Sequence, residues 1–188
     1  MGGFFRDGAA LLAEPGLYSN HAGRASRDRT GDRRVCVDMI RSFLIGLVAG
    51  ARAVTPFAAV SEAARKGQLP RDTGAPSWLG DPLVATGSTI LAGGELWGDK
   101  LRSAPDRIVL AGILARLVSG GLAGAALAPR RRALEGAALG AAAAVVSAYV
   151  TFGLRKRAMR RFGQTPTGLV EDAITVGAAR WVVSSARG

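Results

Sequence analysis

Residues 136–154 read Gly136-Ala137-Ala138-Leu139-Gly140-Ala141-Ala142-Ala143-Ala144-Val145-Val146-Ser147-Ala148-Tyr149-Val150-Thr151-Phe152-Gly153-Leu154, nineteen residues without a formal charge, closed by Arg155-Lys156-Arg157. A helix on the surface of a soluble protein carries a continuous polar face at helical spacing. Here the only polar side chains are Ser147, Tyr149 and Thr151. Crossing the hydrocarbon layer takes about 20 mostly apolar residues. The stretch therefore predicts a membrane span rather than a helix of a soluble Ala-rich bundle. The fold class that follows is all-α: an integral membrane bundle of about four to five closely packed, Ala/Gly-rich transmembrane helices.

Outward from this run, four further segments are apolar enough to consider. Residues 42–61 are interrupted by Arg52 and Pro56, and residues 82–94 run on into Glu95-Leu96-Trp97-Gly98-Asp99-Lys100. Residues 108–128 hold Arg116 near their middle, and residues 166–186 carry Glu171, Asp172 and Arg180. Basic residues collect in the short connections, as they do beside membrane spans. Five spans with a cytoplasmic N-terminus put most of the positive charge inside, but Arg130-Arg131-Arg132 then falls on the opposite side. The formal charge of +11 is thus read as a membrane signature, with the lipid bilayer as partner and no nucleic-acid role.

The first 38 residues differ from the rest. Gly23–Arg34 is charged and without hydrophobic periodicity, which reads as a disordered basic tail. No h-region follows a basic start, so the tail is not a secretory signal. Met39 stands directly before the first apolar run and is an alternative start; residues 39–188 form the transmembrane domain. Cys36 is the only cysteine and His21 the only histidine. No intramolecular disulfide can form, and histidine acid–base chemistry, Cys- or His-based metal sites and cofactors are not expected.

Small residues recur four apart: Gly46 with Gly50, Gly94 with Gly98, Gly120 with Gly124, and Gly136 with Gly140, while Gly112 extends the third pair into a stripe. Lipid gives helices little hydrophobic reason to associate, so they rely on close backbone approach. Glycine lowers helix propensity by roughly 1 kcal/mol relative to alanine, and its repeated use calls for packing. The partners lie either within the chain or in a second copy, making a homo-oligomer.

Charges inside apolar segments are costly, about 2.5–3.5 kcal/mol each on insertion scales. The candidates for a polar path or buried ion pairs are Arg52, Pro56, Glu95, Asp99, Arg116, Glu171 and Asp172. Pro56 has no N–H, so a continuous helix would leave the Arg52 carbonyl without a partner. Two readings stand: a kinked helix with a polar point inside the membrane, or a helix ending near Val54 with Arg52 reaching the headgroups. Glu95 and Asp99 share a helix face, either enclosing a proton or cation or lying solvated at a helix end. Arg116 sits about 13 Å into its segment on the Gly112/Gly120 stripe. It is expected to pair with an acid among Glu95, Asp99, Glu171 and Asp172. Glu171 and Asp172 follow Thr165-Pro166-Thr167, where acids also complement a helix start.

The runs Gly46–Pro56, Gly94–Leu101 and Arg116–Leu127, followed by Glu171-Asp172, resemble the bacterial membrane family called domain of unknown function 4126. The similarity covers residues 40–186 and lies in the order of the motifs. It implies a small multi-pass protein of the bacterial inner membrane, and it carries over no catalytic residue. The leading functional expectation is a small-solute or ion translocator, or a subunit of one. The alternative is a non-catalytic structural or interaction protein that oligomerises through glycine-packed helices. A lipid-modifying enzyme similar to the CDP-alcohol phosphotransferases would need an Asp-Gly-x-x-Ala-Arg run that is missing, and no Walker A loop is present.

Overall fold

The computed structural model describes residues 16–98 and 110–186. All regular elements among them are helical: α1 (Gly16–Ala51), α2 (Thr55–Arg65), α3 (Pro82–Gly98), α4 (Leu110–Leu127), α5 (Ala133–Phe162) and α6 (Gln164–Ser185). Short 3₁₀ turns at Ser77–Gly80 and Arg130–Arg132 lead into α3 and α5. Contacts divide the chain into two units, Met1–Cys36 and Val37–Gly188. In the first, residues 23–34 fall within helix α1.

The second unit is built on glycine. Gly46 of α1 lies against the Gly140 backbone and the Ala143 methyl of α5, and Gly50 lies against Ala144 and Ser147. Gly120 and Gly124 of α4 face Gly136 and Gly140 of α5 so closely that any Cβ would collide with a backbone carbonyl. Three helices thus meet along one seam with almost no side chains between them. Two hydroxyls stitch it. Ser42, fully buried, donates to the Gly124 carbonyl at 2.8 Å, and Ser147 donates to the Leu47 carbonyl at 2.7 Å. Both serines lie on the glycine faces, four residues before Gly46 and seven after Gly140, and that register is the signal by which the sequence could have disclosed them.

The glycines of α3 differ. Nothing lies within 4 Å of a Cβ placed on Gly94, so the expected packing role of the Gly94/Gly98 pair has no counterpart at Gly94. The face of α3 that packs inward carries Ala85, Ser88 and Ala92 instead, about half a turn around the helix from Gly94. Gly98 ends the described part of α3, and Gly112 serves as a hydrogen-bond acceptor, described below.

Of the five apolar segments, two form helices long and apolar enough to cross a membrane: α4, and α5 with the turn before it. The first segment fails because the chain breaks between Ala51 and Thr55, leaving α2 with 11 residues. Segment two gives the 17-residue α3, and α6 reaches 22 residues while carrying Glu171, Asp172 and Arg180. Beside a buried apolar cluster that includes Ile45, Val60, Leu79 and Val182, polar side chains are buried and large apolar ones exposed. Arg52, Arg116, Ser42, Ser61 and Thr55 are buried, whereas Leu83, Trp97 and Leu134 are 84%, 74% and 87% exposed. Only 39% of the apolar window of α4 and 22% of that of α5 is buried, less than a core helix of a soluble domain shows.

A clamp closes one end of this arrangement. The loop after α2 runs over the α4–α5 turn, where Gly74 N donates to Ala128 O at 2.8 Å and Arg130 N to Asp72 O at 3.2 Å. Thr73 hydroxyl donates to the Ala126 carbonyl, and Thr73 pairs with Pro129 as an isolated antiparallel bridge. At the opposite end of α5, Gly163 takes φ +85°, a conformation that favours glycine, and turns the chain directly into α6.

Candidate functional site

The break between α1 and α2 organises the charged residues. Helix α1 ends at Ala51, and α2 restarts at Thr55 with Pro56 in its first turn. There the missing N–H costs nothing, because first-turn amides have no partner within the helix. The N-cap is Val54, which supplies no side-chain cap. Glu95 from α3 fills that role: its Oε1 accepts from Ala53 N at 2.9 Å and its Oε2 from Val54 N at 3.0 Å. A carboxylate thus sits where the backbone amides and the dipole of α2 favour negative charge.

Arg52, only 1% exposed, does not reach towards a headgroup. Its Nη2 meets Asp172 Oδ1 of α6, and its Nη1 donates to the Glu95 carbonyl at 3.4 Å. One guanidinium thereby joins the break, α3 and α6. Glu171 meets Arg155 of α5 at 2.8 Å, with both side chains mostly buried. Arg155, expected in a basic connection after the uncharged run, lies instead within α5. Its place one residue after an uncharged run, within reach of an acidic helix, was the available signal.

Arg116 is buried, and its described hydrogen bonds run to backbone carbonyls: Nε to Gly50 at 3.0 Å and Nη1 to Gly112 at 3.0 Å. The expected ion pair with an acid is therefore not what those bonds make. Gly50 has no side chain, so its carbonyl is open to a guanidinium arriving from α4, and the Gly112 carbonyl lies one turn back on the same helix. Asp99, the remaining candidate partner, lies outside the described residues. Of the Glu95/Asp99 pair, only Glu95 lies among the described residues, and it caps the amides of Ala53 and Val54.

The site brings together Arg52, Pro56, Glu95 and Asp172 directly, Arg116 through the Gly50 carbonyl, and Glu171 through its sequence neighbour Asp172. Beside it lies a pocket with room for about one water molecule. Gly50, Ala51, Arg116, Tyr149, Thr151 and Phe152 contribute to its wall. Thr55, at the start of α2, is 7% exposed, and its hydroxyl has no hydrogen-bond partner among the described residues. Among the described residues no three His, Cys, Asp or Glu side chains could hold a metal ion.

No protein-family model, curated protein or solved structure matches the chain.

Proposed function

We propose that the chain is a multi-pass membrane protein of the bacterial inner membrane, and that it is a small-solute or ion translocator, or a subunit of one, working at the α1–α2 break. The observation that carries this reading is Arg52: a guanidinium 1% exposed at a helix interruption, meeting Asp172 and the Glu95 carbonyl, in a molecule that leaves many large apolar side chains exposed. Charges inside a membrane domain face one another or a path. Helices interrupted in mid-membrane offer backbone amides and carbonyls to a cargo, as transporter sites do. The resemblance to domain of unknown function 4126 rests on the quoted motifs, and membership of that family is part of the proposal.

The test is flux. Purified chain reconstituted into liposomes should render them permeable to at least one of a panel of small ions and neutral solutes, and Asp172→Asn should lower that flux about tenfold or more. Flux indistinguishable from empty liposomes across the panel would remove the reading. The alternative, a structural protein whose charges only fix helix register, is favoured by one observation: the carboxylates of Glu95, Glu171 and Asp172 each already have a protein donor. In that case Asp172→Asn weakens assembly, and a cysteine at position 53, in a chain with Cys36 replaced by serine, stays unreactive to water-soluble thiol reagents.

A further inference from the structure

The end of α5 that leads into α6 is purely basic. No Asp or Glu stands between Glu135 and Glu171, and Lys156, Arg157, Arg160 and Arg161 crowd the last two turns of the helix. All four are exposed. None forms an ion pair among the described residues, where Glu171 is already met by Arg155. The dipole of a helix favours cations in its final turn, which accounts for Arg160 and Arg161 but not for the pair a turn earlier. Lys156 with Arg160, and Arg157 with Arg161, stand four residues apart, the spacing at which like charges destabilise a helix. The opposite end of α5 is composed differently. There Arg132 meets Glu135 at 3.5 Å, and Arg130 N donates to the Asp72 carbonyl at 3.2 Å, so acids accompany the bases.

A second feature gives the cationic end a direction. Leu139, Val146, Val150 and Gly153 follow one another at spacings of seven, four and three, and Arg157 and Arg160 continue the series at four and three, which is one face of a helix. The three large side chains are exposed, and nothing lies within 4 Å of a Cβ placed on Gly153. An uncovered apolar stripe thus runs without a break into guanidinium groups on the same face. Lys156 marks the change of level, its ammonium 5.5 Å from the Phe152 ring one turn back. Residues 156–161 carry the helix about 9 Å further along its axis. That is close to the roughly 5–8 Å that a headgroup layer adds on each side of the hydrocarbon.

We propose that this end of α5 is a docking surface for a phospholipid of net negative charge. Its phosphate sits among Lys156, Arg157, Arg160 and Arg161, and one acyl chain lies along Val146, Val150 and Gly153. The inference rests on the membrane location proposed above and not on translocation. Charge complementarity selects the occupant. Arginine meets phosphate through two parallel N–H donors, and an anion held between cations one turn apart replaces their repulsion with attraction. The apolar stripe separates a lipid from a nucleic acid or a free phosphate, since only a lipid brings a chain to cover it. A zwitterionic lipid carries its own cation into the same four positive groups and is disfavoured.

The experiment uses the full chain in neutral detergent micelles holding equal amounts of dioleoylphosphatidylglycerol and dioleoylphosphatidylcholine, with bound lipids counted by native mass spectrometry. Wild type should retain the anionic lipid over the zwitterionic one by about tenfold or more, since each cation near an anionic surface is worth about fivefold. Arg157→Gln/Arg160→Gln should cut that preference by about fivefold or more, whereas the same charge loss at the other end, Arg130→Gln/Arg131→Gln, should change it by less than about twofold. Arg157 and Arg160 are exposed and unpaired, so in lipid-free detergent their double variant should unfold at or slightly above the wild-type temperature. A fall of several degrees would make the two arginines structural and overturn the proposal. Equal retention of the two lipids by wild type overturns it as well, as does an equal drop in both double variants. Displacement of the bound lipid by equimolar glycerol 3-phosphate or by an RNA oligonucleotide also overturns it, because the patch would then recognise phosphate without a chain. A protein that alkaline carbonate washes off membranes removes the membrane reading itself; a membrane-bound protein without lipid preference removes only this inference.

Discussion

A methyl group added at Gly124 or Gly140 has nowhere to go, because each position faces a backbone carbonyl of the opposite helix, which cannot rotate aside. Gly140→Ala should therefore destabilise the protein by about 1–3 kcal/mol, the usual cost of overpacking. Gly94→Ala, with nothing within 4 Å, should be neutral or stabilising by up to about 1 kcal/mol through helix propensity. Thermal unfolding of both variants in the same detergent checks the contrast, and equal effects would mean that the seam does not form. Elsewhere a single residue has an electrostatic signature. Arg65 and Lys66, three and four residues on, hold the Glu62 carboxyl down to about 2 from its ordinary 4.5, and both pairs are visible at 2.8 and 2.9 Å. With a depressed folded pKa, the stabilisation is present above the unfolded value and is lost as pH falls from about 4.5 towards about 2. Side-chain NMR titration of Glu62 should place its midpoint near that lower value in dilute salt and move it up in concentrated salt, since exposed pairs are screened. Spacing alone disclosed Gly120 with Gly124. It failed at Gly94, because a four-residue repeat states which residues share a face and not which face meets a neighbour.

At the scale of elements, the α1–α2 interruption was legible from Arg52 and Pro56, since proline fixes where a helix can restart. What closes the interruption was not legible, because Glu95 arrives from α3 and Asp172 from α6, 42 and 120 residues distant in sequence from the groups they meet. The carbonyls that Arg116 meets at Gly50 and Gly112 were not legible either, because a backbone acceptor left open by a glycine leaves no mark in the charge pattern. The α5–α6 hairpin offers a direct test of tertiary pairing. Arg155→Glu and Glu171→Arg should each lower the unfolding temperature, and the double exchange should recover part of the loss, with a coupling of about 0.5–3 kcal/mol for contacting residues. Losses that simply add would mean that the 2.8 Å contact contributes nothing to holding the two helices together.

For the molecule as a whole, the many large apolar side chains left exposed bear on the proposed location. Leu83, Ile90, Trp97, Leu110, Val146, Ile174 and Trp181 all lie outside, more apolar surface than a monomer in water keeps uncovered. Expressed chain should sediment with membranes after an alkaline carbonate wash and leave them only with detergent; a detergent-free monomer of full helicity would contradict the proposed location. The uncharged run of α5 was enough to read a helix long and apolar enough to cross a membrane. Which other segments form such helices was not readable in that way. Residues 42–61 and 166–186 have the length, but a break in one and three charges in the other are resolved by neighbours rather than by the segments themselves.

The charged brackets on α5 also turn that helix into a gauge. Between Glu135 and Arg155 lie nineteen uncharged residues, a span of about 28 Å along the axis. Arg155 is committed to Glu171 and is not at liberty to slide inward. A helix of that reach leaves little slack for tilting in a thick, stiff bilayer, where the lipid itself would have to thin around it. Vesicles made from progressively longer acyl chains should therefore accept the protein well up to a hydrophobic thickness near that of a typical bilayer and increasingly poorly beyond it.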